Sequence, residues 1–104
     1  MSAPPEVVFN TATDPARSSW LPEPLRRKAN GRSPSLAEEA LWARWDCGEE
    51  SGWMAQLQVR PIEAGGARVR LELVADPPED RLDDLANDSL ASLARAVVDN
   101  LNAG

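Results

Sequence analysis

The sequence predicts an α+β fold: a small antiparallel sheet packed on a long C-terminal helix, with two short N-terminal helices. Three observations carry this expectation. Residues 41–75 hold three runs in which apolar and polar side chains alternate, residues 81–104 switch to a helical period, and residues 3–20 hold two short segments bounded by prolines. Alternation marks half-buried strands, and apolar residues recurring at three and four mark a helix with one buried face.

The chain opens MSAPPEVVFNTATDPARSSWLP. Ala3 to Thr13 is expected to be a short helix, because a proline at Pro4 or Pro5 fits a first turn whose N–H groups lack intrahelical partners. Glu6 suits the positive end of the helix dipole, and Val8, Phe9 and Ala12 share a face. Asp14-Pro15 ends it, since a residue before proline is driven out of the α region. Asp14 can then cap a second short turn through Arg17, Ser18 and Trp20, which Pro22 and Pro24 stop. Leu25 to Ser35 is basic and polar, and reads as a loop or an irregular edge strand. Leu36 to Ala40 is ambiguous between helix and strand.

In the first alternating run Leu41, Ala43, Trp45 and Cys47 point one way, with Trp42, Arg44 and Asp46 opposite. In the second, Trp53, Ala55, Leu57 and Val59 oppose Met54, Gln56, Gln58 and Arg60. In the third, Val69, Leu71, Leu73 and Ala75 oppose Arg68, Arg70, Glu72 and Val74. The connectors CGEESG and PIEAGGA make this a three-strand meander, and Gly65-Gly66 signals a tight hairpin because glycine tolerates positive φ. Asp76-Pro77-Pro78 ends the third run. Leu82, Leu85, Ala86, Ser89, Leu90, Leu93, Val97 and Leu101 then form one helical stripe, with Asp83, Asp84, Asp88, Arg95 and Asp99 mostly off it. The apolar face of the meander is the obvious partner for that stripe. The reading expects one domain, residues 1–104, without internal repeats.

Composition removes several chemistries. The chain has no His, no Tyr and one Cys, so Ser-His-Asp, Cys-His and His-metal arrangements are excluded, as is an internal disulfide. Cys47 lines up with an apolar strand face and reads as a buried, inert thiol. Asp46, Glu49 and Glu50 fall in a glycine-bearing turn and read as solvated. Asp83, Asp84, Asp88 and Asp99 lie on one helix, which cannot surround a cation with oxygen ligands. The reading therefore expects no metal, no cofactor and no catalytic residue. A net charge of −6 argues against a nucleic-acid surface. The one basic run, Arg26-Arg27-Lys28 with Arg32 nearby, reads as solvated loop. No apolar run reaches bilayer length and no signal-peptide pattern opens the chain, so the expectation is no membrane span and a cytoplasmic location.

Three stretches carry a family resemblance: APPEVVFNTATDPARSSWLP, SGWMAQLQVRPIEAGGARVRLELVAD and DRLDDLANDSLASLARAVVDNL. They resemble the opening helix pair, the last hairpin and the closing helix of the START-like superfamily, the SRPBCC or polyketide cyclase/dehydrase and lipid transport group. The resemblance implies a helix-grip fold, in which a curved sheet holds the C-terminal helix and an apolar cavity lies between them. Family members usually begin with a strand, whereas only Met1-Ser2 precede Ala3-Pro4-Pro5. The expectation is an abridged sheet without the N-terminal strand. A neighbouring subunit or a rearranged edge from Leu25–Ala40 is expected in its place, rather than the chain's own N-terminus.

The function so implied is non-catalytic binding of a small apolar ligand, lipid- or polyketide-like, in a cavity lined by Trp45, Trp53, Leu57, Leu71 and Leu90. The alternative is a protein-interaction or structural homodimer module, pairing through exposed sheet edges without a ligand cavity. The third is a small cyclase or hydratase resting on Asp, Glu, Arg or ordered water. Each site residue has a plainer reading. Trp45 and Trp53 also suit ordinary core filling, and Trp20 with Leu21 suits an anchor for the second helix as well as a gate. Arg44, Arg60, Arg68 and Arg70 suit a solvated sheet face as well as an anion site, with Glu72 able to pair across strands. Trp42 is expected beside Met54 as an exposed contact patch.

Overall fold

A computed structural model describes residues 1, 3–22, 25, 34–46, 52–75 and 80–103. Helix α1 spans Pro5–Thr13, with Pro4 as its N-cap and a proline in its first turn. Asp14 is extended ahead of Pro15, and the chain then turns through a 3-10 segment, Pro15–Trp20, with a non-helical residue at Arg17. The expected second N-terminal helix is therefore not an α-helix. Six residues between two proline brakes make 3-10 turns but cannot sustain an α-helical ladder. Strand β1 is Ser35–Ala37, followed by a 3-10 turn at Glu38–Ala40, β2 at Trp42–Asp46, β3 at Met54–Pro61 and β4 at Ala67–Val74. Helix α2 is Leu82–Ala103.

The sheet has four antiparallel strands in the order β1-β2-β3-β4. The three alternating runs supply β2, β3 and β4. The fourth strand joins the end of the Leu25–Ser35 stretch to the start of the ambiguous one: Ser35, Leu36 and Ala37 pair with Arg44, Ala43 and Trp42. At the other edge Met1 exchanges two main-chain hydrogen bonds with Ala67, its amine donating at 2.8 Å and its carbonyl accepting at 2.7 Å. The chain's own first residue thus lies beside β4, against expectation. The loop between β3 and β4 closes through Gly65 N–H to Ile62 O at 3.0 Å, with φ of 88° at Gly65. Only the first of the two glycines there takes the left-handed conformation.

One face of the sheet builds the core. Ala43, Trp45, Ala55, Leu57, Val59 and Ala67 are buried together with Val8, Phe9 and Ala12 of α1 and Leu93 and Val97 of α2. Trp20 Nε1 donates to Ala12 O at 3.1 Å, and its ring packs roughly perpendicular to that of Trp45, 5.4 Å between centroids. This anchors the 3-10 segment to both α1 and the sheet. Buried Thr11 donates to Val7 O at 2.8 Å and accepts from Asn100 Nδ2 at 3.0 Å, which ties α1 to α2. Ser89, Leu93 and Val97 are the buried part of the α2 stripe, whereas Leu101 is about half exposed beside Val98. No helix among the described residues is long and apolar enough to cross a membrane.

Candidate functional site

The five residues expected to line an apolar cavity divide into three groups. Trp45 and Leu57 are sealed in the core, Leu57 completely, and Trp45 is in T-shaped contact with Trp20. Trp53 and Leu71 are half-buried and pack onto that core from outside. Leu90 is half-buried on α2. Strand register puts Leu71 opposite Leu57, while Trp53 precedes β3 by one residue. Trp53 and Leu57 are thus four residues apart, about 13 Å along the strand.

A cavity of about 390 Å³ lies on the opposite, polar face, lined by Trp42, Gln56, Gln58, Arg60, Arg68, Arg70 and Glu72, with Leu57 at its floor. Register explains its composition. Trp42 stands opposite Gln58, which stands opposite Arg70; Arg44 stands opposite Gln56, which stands opposite Glu72; and Arg60 faces Arg68. Side chains two apart on a strand share a face, so these rungs line one open trough with an indole, two amides and the guanidinium groups of Arg60, Arg68 and Arg70. Met54 pairs with Asp46 and Val74, so Trp42 and Met54 are not neighbours as expected.

The Trp42 end is held firmly. Gln58 Nε2 donates to Ala40 O at 2.7 Å, Leu41 N–H donates to Glu38 O at 3.2 Å, and Val59 N–H donates to Leu41 O at 3.0 Å. Leu41 itself has φ of 50°, a left-handed conformation unfavourable for a branched side chain. The surrounding bonds hold the strained residue immediately before Trp42, which fixes where the indole enters the trough.

The charges within the trough are not equivalent. Arg70 Nη2 donates to Glu72 Oε1 at 2.9 Å, and on the same face Arg44 Nη2 donates to Asp46 Oδ2 at 3.2 Å. Arg60 and Arg68 have no carboxylate within ion-pair distance among the described residues, and they lie directly opposite one another. Like charges in that position destabilise a sheet. The arginines were legible as an alternating set, but their opposition depends on register. Cys47, Glu49, Glu50 and the Arg26–Arg32 region lie outside the described residues. No family model, curated protein or solved structure matches the chain.

Proposed function

We propose that the chain is a small non-catalytic binding domain that takes an anionic, ring-bearing small ligand on the outer face of its sheet. The observation that carries this is the Arg60–Arg68 pair, two facing arginines without a carboxylate partner among the described residues, in a chain of net charge −6. An anion between them converts a repulsion into two charge-assisted hydrogen bonds. Trp42, in the adjacent rung with Gln58 and Arg70, offers a flat face, and the Gln56 and Gln58 amides offer orienting polar groups. The volume suits a small molecule, since ligand pockets begin at about 300 Å³.

The test is a fluorescence or calorimetric titration with phenyl phosphate, a dianion carrying one ring. Saturable binding is expected, with at least a tenfold loss in Arg60→Gln/Arg68→Gln. Absence of saturation, or equal affinity in the variant, would refute the reading.

A helix-grip domain with an apolar ligand between sheet and α2 is the second reading, as the START-like resemblance implies. It is favoured by half-buried Trp53 and Leu71 at the margin of an otherwise closed core. An apolar molecule that co-purifies in native mass spectra and is lost on Trp53→Ala would favour it over the outer trough.

A further inference from the structure

We propose that β4 is a self-pairing edge, through which a second copy of this chain extends the sheet by antiparallel pairing centred on Leu71. β4 is the last strand in the sheet, and Met1 occupies its outer side only at Ala67. Because Ala67 turns both its N–H and its C=O toward Met1, alternate residues Val69, Leu71 and Leu73 turn theirs the same way. Among the described residues no main-chain partner meets these groups. The stretch left open is therefore residues 68–74, and its midpoint is Leu71.

A two-fold antiparallel pair centred there is complementary in three respects. Leu71 exchanges hydrogen bonds with its counterpart, and Val69 exchanges them with Leu73 of the other copy, so every outward main-chain group of the stretch finds a partner. On the inner face the facing pairs are then Val69 with Leu73 and Leu71 with Leu71, all apolar. On the outer face Arg70 stands opposite Glu72 of the second copy, twice, at non-hydrogen-bonded positions where side chains approach most closely. Arg68 lies across from exposed Val74, where its aliphatic stem can cover the valine.

Neighbouring registers lack this match. Centring on residue 70 sets Arg68 against Glu72 twice but also Arg70 against Arg70, and it places Leu73 opposite Ala67, whose main-chain groups Met1 already holds. Centring on 72 sets Glu72 against Glu72, and centring on 69 sets Arg68 against Arg70 twice. Centring on 73 places Glu72 opposite Val74 and forms no ion pair among the described residues. The Arg70–Glu72 bond within each chain, between exposed side chains, shows that the two groups reach one another's height above the sheet and can exchange partners.

The test is sedimentation velocity of the full chain at low salt, from about 10 μM to about 0.5 mM, the range suited to a modest interface. A dimer growing with concentration is expected. Arg70→Glu and Glu72→Arg each place like charges across the axis twice, and each is expected to weaken dimerisation at least tenfold. The double exchange R70E/E72R restores the opposition and is expected to restore the dimer. Mixing the two single variants is expected to give a heterodimer, because the R70E chain then presents carboxylates at both positions to a partner, the E72R chain, that presents guanidiniums at both. Circular dichroism checks that each variant folds as the parent does. A parent monomeric throughout, single variants that dimerise like the parent, or a folded double variant that remains monomeric would each overturn the proposal.

Discussion

Gly65 has φ of 88° and open space where a β-carbon would be added. Gly65→Ala therefore meets no clash, and its cost comes from the left-handed backbone alone, about 1 kcal/mol. Urea unfolding is expected to show a lower midpoint with an unchanged slope. Trp20 makes the opposite case, because its value is in contacts. Trp20→Phe loses the bond to Ala12 O and part of the T-shaped contact with Trp45, so a loss of about 1–2 kcal/mol is expected in the same measurement. Arg60→Gln should move stability the other way. Removing one of two facing like charges is expected to raise stability by a few tenths of a kcal/mol while weakening phenyl phosphate binding. Gain in stability with loss of binding distinguishes a ligand site from an ordinary solvated sheet face.

At the scale of elements, β2, β3, β4 and α2 were legible because each has one buried face, which stamps its period on the sequence. Ala43, Trp45, Ala55, Leu57 and Val59 fall where the alternation placed them. β1 was ambiguous for the opposite reason: Ser35, Leu36 and Ala37 are all exposed and the strand is only three residues long, so no face alternates. The second N-terminal helix failed because short, proline-bounded composition permits a 3-10 turn as readily as an α-helix. The Thr11–Asn100 bond joins residues 89 apart in sequence, and neither residue type at its position announces the other. Asn100→Ala leaves buried Thr11 bonded only to Val7, so a loss of about 1 kcal/mol is expected, read as faster hydrogen exchange along α1. The trough was legible in residue type but not in arrangement. The arginines and glutamines alternate visibly, but which of them meet is decided by the loop at Ile62–Gly66 and the register it sets.

Over the whole molecule, an acidic chain carries one sheet face with four arginines against Asp46 and Glu72, on the side away from the core. Arg60, Arg68 and Arg70 on that face are exposed, so anion binding there is expected to weaken as salt is added. The most direct test of the central claim is a heteronuclear NMR titration with phenyl phosphate, following the Trp42 indole N–H and the arginine Nε–H signals. The account predicts saturable shifts at Trp42, Arg60 and Arg68 with Kd near or below about 1 mM, about −4 kcal/mol, while Trp45 and Trp53 remain unmoved. Shifts confined to Trp45, Trp53, Leu71 and Leu90, or none that saturate, would contradict it.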